Sequence, residues 1–282
     1  MSFSGIAEKA ARLAGELLLN RMGRVDFREK SRADLVSDAD FEAQALIQSV
    51  VLESYPDHLF LGEETDGFMG RDAGRQSPDH AICRAIPENN YCWIVDPLDG
   101  TTNYIHQLPF FCTSVALYHG NVPVCGVIFN PCSRECFTAE KGEGAFLNGQ
   151  RLHTSRVVDV KNALASVGFP TDCRHDSPDL LAFLKAVPLC QAIRRTGSAS
   201  LNMAFLSAGR FDAMWCIAIH PWDVAAGALL IQEAGGVITG TDGLPFSMSK
   251  PSFLAAANTV LHQQFLEMHA NPGQMNIVEP PD

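Results

Sequence analysis

The 282-residue chain lacks the features of several common protein classes. It has no CxxC pair, and its nine cysteines stand singly, which favours reduced buried thiols over a structural zinc site. No apolar run approaches the ~20 residues that span a membrane. The amphipathic N-terminus carries Glu8 and Glu16, unlike a signal peptide. We therefore expect a soluble cytoplasmic protein that does not act at a membrane.

Excess positive charge is also missing from the chain. The formal net charge is −11, with charged residues of both signs making up 19% of the sequence. This acidic balance argues against nucleic acid as the main partner, because nucleic-acid binding depends on basic side chains that neutralise phosphates. The mixture of signs, together with 46% hydrophobic residues, argues against disorder. The composition indicates a folded protein with enough apolar material for a full core.

The strand and helix signals change character near the middle of the chain. Residues 111–147 contain short strand-like segments separated by turns, which predicts an antiparallel sheet. From about residue 160, strands alternate with helices, which predicts a mixed sheet with helices packed on it. We therefore predict an α+β fold with two subdomains, residues 1–150 and 151–282. Residues 66–91 are polar and rich in glycine and proline, and they predict a long surface loop.

The stretch WIVDPLDGTTNY, residues 93–104, places two acids directly after a buried strand. Asp96 and Asp99 lie three positions apart around a proline, so the turn can bring both carboxylates to one point. Gly100 permits a tight backbone, and Thr101 and Thr102 then begin a helix whose free N–H groups favour phosphate. Hard oxygen ligands beside an anion site favour Mg²⁺ with a phosphate ester. An Asx turn with a helix cap remains the alternative interpretation.

Three further acids stand at the ends of predicted elements. Glu63 and Glu64 close the strand in HLFLGEE, and Asp223 begins the helix in WDVAAG. Each acid alone is typical of a solvated strand end or of a helix first turn. A second helix is expected after Ser37, with Asp40 in its first turn, and should end near residue 55.

Three motifs stand out along the chain: GEET at 62–65, WIVDPLDGTTNY at 93–104 and HPWDVAAGALLIQEAGG at 220–236. In order and spacing they resemble the three motifs of the inositol monophosphatase family. The resemblance implies an αβαβα layered sandwich, usually a homodimer, that hydrolyses small phosphate monoesters with Mg²⁺ and is inhibited by Li⁺. Lys30 would lie in the family's flexible flap. Most of the metal ligands would come from residues 1–150, and residues 151–282 would complete the site and the substrate pocket.

The same resemblance assigns roles to individual residues. It implies that Thr101, backed by Asp40, orients and deprotonates a metal-activated water, with Glu64 assisting. The implied metal ligands are Glu63, Asp96, the carbonyl of Leu98, Asp99 and Asp223, and the implied substrate contacts are Gly100, Thr101, Thr102, Gly197, Ser198, Ala199 and Cys216.

One position departs from the family pattern. Family members specific for inositol phosphate carry a glutamate seven residues before the WD aspartate, and this chain has Cys216 there. A thiol is a poor hydrogen-bond partner for a polyol, so the identity of the alcohol stays open. Alternatives with the same metal site are phosphatases for 3′-phosphoadenosine nucleotides, histidinol phosphate or sugar bisphosphates. A regulatory adaptor that has kept the fold is the alternative outside enzymes.

Overall fold

The computed structural model describes residues 2–31, 34–64, 86, 88–169 and 173–270. The helices within these residues are α1 (Phe3–Arg21), α2 (Asp38–Ser54), α3 (Thr101–Ile105), α4 (Pro178–Ala186), α5 (Ala199–Ser207), α6 (Pro221–Glu233) and α7 (Thr259–Ala270). The predicted second helix is confirmed, since α2 begins after Ser37 and ends at Ser54. No helix of the described part is both long and apolar enough to cross a lipid bilayer.

The strands form three sheets. A short hairpin pairs β1 (Phe27–Ser31) with β2 (Asp34–Ser37). A seven-stranded sheet has the order β3 (Leu59–Gly62), β4 (Tyr91–Asp99), β5 (Cys112–His119), β6 (Val122–Asn130), β7 (Glu135–Glu140), β8 (Gly144–Leu147) and β9 (Gln150–Arg151). A five-stranded sheet has the order β11 (Ala192–Arg194), β10 (Leu164–Val167), β12 (Ala213–Cys216), β14 (Phe253–Ala256) and β13 (Val237–Thr239).

The pairing within the two large sheets matches the predicted fold class. In the seven-stranded sheet β3 and β4 are parallel, and the strands from β4 to β9 pair antiparallel. The five-stranded sheet is mixed, because β10 pairs parallel with β11 and β12 while β14 pairs antiparallel with β12 and β13. The α+β class is confirmed, with one sheet that is antiparallel except for the β3–β4 pair and one mixed sheet, whereas the division into subdomains at residue 150 stays a prediction.

Three apolar clusters define the order of the layers. One lies between α1, α2 and the seven-stranded sheet; a second packs α5 and α6 between the two large sheets; a third lies between the five-stranded sheet, α4 and α7. The layers therefore follow the order αβαβα. Strand β4 lies in the seven-stranded sheet, and both of its faces are covered. Trp93 and Val95 face the cluster on the side of α1 and α2, and Cys92 and Ile94 face the cluster between the two large sheets. Burial on both faces explains why this strand reads as a continuous apolar run.

Candidate metal and substrate site

Two acids project from the end of the buried strand β4. Its antiparallel register with β5 is interrupted between Asp96 and Asp99, where Pro97 stands. The backbone N–H of Leu98 donates a hydrogen bond to Asp96 Oδ1 at 3.0 Å, which folds the chain back toward the first acid. Gly100 then adopts φ +101° and α3 begins at Thr101. A side chain at position 100 would be strained because this φ lies in the left-handed region.

Asp96, Asp99 and Asp223 form a carboxylate cluster. One ligand oxygen from each residue lies within 4.8 Å of the other two, although 127 residues separate the first acid from the last. Asp96 is 1% exposed and Asp99 is 9% exposed. Buried carboxylates at this distance repel one another unless a proton or a cation lies between them. Three hard oxygen donors at one point fit a divalent cation, so the arrangement can bind a metal.

The pKa values in the metal-free protein reflect this repulsion. Burial raises the pKa of Asp96 well above its ordinary value, and the charges of Glu63, Asp99 and Asp223 raise it further. Burial and the charge of Asp223 raise the pKa of Asp99 to about 7, against hydrogen bonds from residues 198–200 that lower it. Without a cation, the cluster therefore retains protons that ordinary aspartates have lost at neutral pH.

The start of α5 holds Asp99 in position. The hydroxyl of Ser198 donates to Asp99 Oδ2 at 2.7 Å, and the backbone N–H groups of Ala199 and Ser200 donate to the same carboxylate at 3.2 and 2.5 Å. Ser198 and Ala199 were expected to contact substrate; both line the pocket described below, and both also contact a cluster acid. Ser200, which the sequence did not single out, also donates its hydroxyl to the carbonyl oxygen of Asp223 at 2.7 Å.

Asp223 enters the cluster from the first turn of α6. Pro221 is the first helical residue, where its missing N–H costs no hydrogen bond, and Asp223 Oδ2 accepts the backbone N–H of His220 at 3.0 Å. Asp223 thus acts as a helix cap and also takes part in the cluster. The interpretation of Asp223 as an ordinary acid of a helix first turn and its interpretation as a metal ligand are therefore compatible.

Glu63 and Glu64 follow β3, which lies beside β4. The N–H of Glu63 donates to the carbonyl of Val95 at 3.1 Å, and the N–H of Glu64 donates to Gln44 Oε1 at 2.9 Å. Glu63 is close enough for its charge to raise the pKa of Asp96, yet among the described residues it is outside the group whose ligand atoms lie within 4.8 Å of one another. Metal binding by Glu63 and assistance by Glu64 stay predictions.

Thr101 lies between Asp40 and the carbonyl of Leu98. Its hydroxyl is 3.1 Å from Leu98 O and 3.4 Å from Asp40 Oδ1. The opposite oxygen of Asp40 accepts the N–H and the hydroxyl of Ser37, so Oδ1 is the atom that faces Thr101. Because a hydroxyl carries a single proton, Thr101 donates to one of its two acceptors at a time. The fold therefore brings together the two residues expected to handle the proton of the attacking water.

A pocket of about 240 Å³ opens beside the carboxylate cluster. The described lining residues include Asp99, Thr102, Asn103, Val167, Phe169, Arg195, Gly197, Asn202, Cys216, Ile219 and Asp223. Gly197 has φ +91°, and an added Cβ would lie 2.9 Å from Asn103 Nδ2, so this wall requires glycine. The sequence did not predict that Arg195, Phe169 and Asn202 would line the site. Residues 169 and 195–202 are far apart in the chain and come together only through the packing around the five-stranded sheet.

Cys216 lines the pocket and is 3% exposed, and its predicted contact with substrate stays a prediction. Burial raises its pKa, so the side chain stays a neutral thiol, and it donates to the carbonyl of Ala218 at 3.4 Å. Eight cysteines are described and all are free thiols. The predicted surface loop at 66–91 lies mostly outside the described residues, although its last residue, Tyr91, already belongs to β4. The side chain of Lys30 also lies outside the described residues.

Comparison with known proteins gives a consistent result. The model of the family described as "Inositol monophosphatase family" matches residues 2–271. The chain is 38% identical over 260 residues to the Nus factor SuhB of Pseudomonas aeruginosa, covering 90% of each protein. It is 40% identical over 234 residues to an inositol-1-monophosphatase of Rhizobium meliloti, covering 82% of each protein.

A solved structure shares the fold of this chain. The inositol monophosphatase of Anabaena (Nostoc) sp. PCC 7120 superimposes with a TM-score of 0.81 at 33% identity, covering 95% of both chains. The family model covers nearly the whole chain, and the solved relative shares its layered fold. On the combined evidence of its three motifs, its fold and these matches, the chain belongs to the inositol monophosphatase family.

Proposed function

We propose that this protein hydrolyses phosphate monoesters of small alcohols with Mg²⁺ as cofactor. The observation that carries the proposal is the convergence of Asp96, Asp99 and Asp223 beside a pocket large enough for a small ester. These three carboxylates, with Glu63 and the carbonyl of Leu98 as further ligands, are the residues that would hold the cation. When bound, a divalent cation neutralises phosphoryl charge and lowers the pKa of water.

The chain's own residues supply positioning and proton transfer in the proposed reaction. Thr101 can accept the proton of an attacking water only if it passes its own proton to an acceptor, and Asp40 Oδ1 lies 3.4 Å away. The turn at Gly100–Thr102 presents backbone N–H groups to the phosphate. Ser198 and Ser200 hold Asp99 in place, so that this carboxylate does not need to reorient when a cation binds.

The proposal predicts that hydrolysis of inositol 1-phosphate and glycerol 2-phosphate requires added metal. We expect no turnover in excess EDTA, full recovery when Mg²⁺ is restored in excess, and suppression by Li⁺. Release of inorganic phosphate measures all three responses, and recovery controls for unfolding by the chelator. Robust turnover in EDTA would contradict the metal assignment.

A relative named as a Nus factor makes a regulatory role the alternative for this chain. The same assay separates the two proposals. A folded protein whose melting temperature responds to Mg²⁺ but which releases no phosphate from any ester would favour the regulatory adaptor.

The pocket wall favours a second candidate substrate class, an ester whose alcohol part carries another anionic group. Arg195 is the one positively charged residue among the described residues that line the pocket, and it forms no ion pair with a described residue. Its guanidinium lies 6.0 Å from the ring centroid of Phe169. Cys216, by contrast, offers no charged acceptor to a polyol because its thiol is neutral. This wall suits phosphate or carboxylate better than neutral hydroxyls.

A matched pair of three-carbon esters tests this class. Glycerol 1-phosphate and 3-phosphoglycerate share a skeleton and differ by one carboxylate. In Arg195→Gln we expect the ratio of kcat/KM for 3-phosphoglycerate to that for glycerol 1-phosphate to fall roughly fivefold, as for an exposed ion pair. The control is Arg194→Gln, since Arg194 is also exposed but does not line the pocket. An equal ratio in all three proteins would remove Arg195 from substrate selection.

A further inference from the structure

A buried carboxylate lies outside the cluster of Asp96, Asp99 and Asp223. Asp179, in the first turn of α4, is 2% exposed. No described lysine, arginine or histidine lies within ion-pair distance of it. An acid in a helix first turn ordinarily remains at the surface, where water solvates its charge. A buried carboxylate without a cationic partner is costly unless hydrogen bonds replace the water, so its contacts indicate its purpose.

Asp179 reaches away from its own helix to a distant backbone segment. Its Oδ1 accepts the N–H of Ile217 at 2.8 Å, across 38 positions of the chain, and the N–H of Ala218 is close enough to lower the pKa of the carboxyl group. Burial raises the pKa of Asp179 to about 6, and these two N–H groups act in the opposite direction. At neutral pH the ionised carboxylate therefore satisfies the N–H group of Ile217, which lies outside any helix or strand.

The segment that Asp179 holds connects the substrate pocket to the carboxylate cluster. Residues 217–220 run from the end of β12 to the start of α6. Ala218 and Ile219 line the pocket, and the carbonyl of Ala218 accepts the thiol of Cys216. Asp223 has separate anchors in the N–H of His220 and the hydroxyl of Ser200. Asp179 therefore holds the segment that forms the pocket wall, whereas the carboxylate cluster is held by other contacts.

We infer that Asp179 is a positioning residue that fixes the 217–219 segment as a wall of the substrate pocket and so sets affinity for the alcohol part of the substrate. The inference rests on the proposed phosphatase function. Asp179 belongs neither to the pocket lining nor to the carboxylate cluster, and it acts through the backbone of Ile217. Its loss should therefore affect KM more than kcat, and should leave the response to Mg²⁺ in place.

The test compares Asp179→Ala and Asp179→Asn with the wild type. Alanine removes both acceptors, and we expect KM to rise about tenfold, the low end for lost bonds to a charged group. Asparagine keeps one acceptor oxygen for Ile217, so its KM should lie between alanine and wild type. We expect kcat to stay within about twofold and the melting-temperature rise on adding Mg²⁺ to be retained. The control is Asp176→Asn, an exposed acid just before α4 that pairs with Arg174.

Amide hydrogen exchange of the peptide covering 213–220 provides a readout without turnover. In Asp179→Ala the N–H groups of Ile217 and Ala218 should exchange faster, while β10 and β14 keep their protection. Unchanged exchange there, or an unchanged KM in the folded variant, would overturn the inference. So would a fall in kcat together with a lost Mg²⁺ response at constant KM, because Asp179 would then act on the cluster. If the wild type releases no phosphate while Asp179→Ala still exchanges faster at 217–218, the proposed phosphatase function and the effect on substrate affinity are both contradicted. The finding that Asp179 positions the 217–219 segment would then still stand.

Discussion

Asp223→Asn is expected to abolish most hydrolysis while making the metal-free protein more stable. The substitution keeps the side-chain shape and an oxygen that can accept the N–H of His220, so the start of α6 should survive. It removes one charge from a cluster in which the charge of Asp223 raises the pKa values of both Asp96 and Asp99. We expect kcat/KM to fall by more than about 100-fold, since even residues that only orient ligands contribute 10–100-fold.

Thermal melts separate this expectation from a purely structural role for Asp223. With EDTA, relief of about 1 kcal/mol of repulsion should raise the melting temperature by roughly 2–4 °C. With Mg²⁺ at 100 times its dissociation constant, the wild type should gain about 2.7 kcal/mol, and the variant much less. Asp242→Asn is the matched control, because it removes the same charge from an exposed acid paired with Lys250. An undiminished Mg²⁺ shift in Asp223→Asn would remove Asp223 from the metal site.

The metal-free protein should also lose stability as pH rises from 6.5 to 8. The pKa of Asp99 is about 7 in the folded protein against 3.8 as its ordinary value, and that of Asp96 is also raised well above its ordinary value by burial. A group whose folded pKa is raised adds stability that is fully present below the unfolded pKa and is lost as pH rises through the folded pKa. Between pH 6.5 and 8 the free energy of unfolding should fall by about 1–3 kcal/mol. Each kcal/mol should lower the melting temperature by roughly 2–4 °C.

Between pH 6.5 and 8, other titrating groups change the free energy of unfolding less than the cluster does. Asp179, with a pKa of about 6, is mostly ionised above pH 6.5. His58, His262 and His269 have pKa values lowered by burial, so their opposite contribution falls mainly below this interval. Saturating Mg²⁺ should flatten or reverse the slope, because the cation binds the deprotonated carboxylates. Melting curves at several pH values with EDTA and with Mg²⁺ measure both slopes, and identical slopes in the two series would contradict the cluster's proposed role.

The sequence by itself determined the chemistry of each part of the site. Residues 93–104 encode a strand covered on both faces, because an uninterrupted apolar run fits no half-exposed strand. The same stretch encodes the turn, since Pro97 interrupts the ladder and Gly100 supplies the left-handed conformation that lets α3 begin at Thr101. These are local effects of backbone geometry, so they could be read without knowing what packs against the strand. The order of the motifs then indicated the family and, through it, the layered fold.

Only the tertiary structure decided which distant residues meet and what each contact does. Asp223 and Asp99 converge because α5 and α6 pack between the two sheets, and no local pattern in the chain encodes that distance. Ser198 was expected at the substrate and does line the pocket, but only the assembled structure shows that its hydroxyl also donates to Asp99. Asp179 did not stand out in the sequence, because its role depends on the N–H group of Ile217, 38 positions away. Burial and long-range hydrogen bonds set these pKa values and contacts, and both arise only when the layers are assembled.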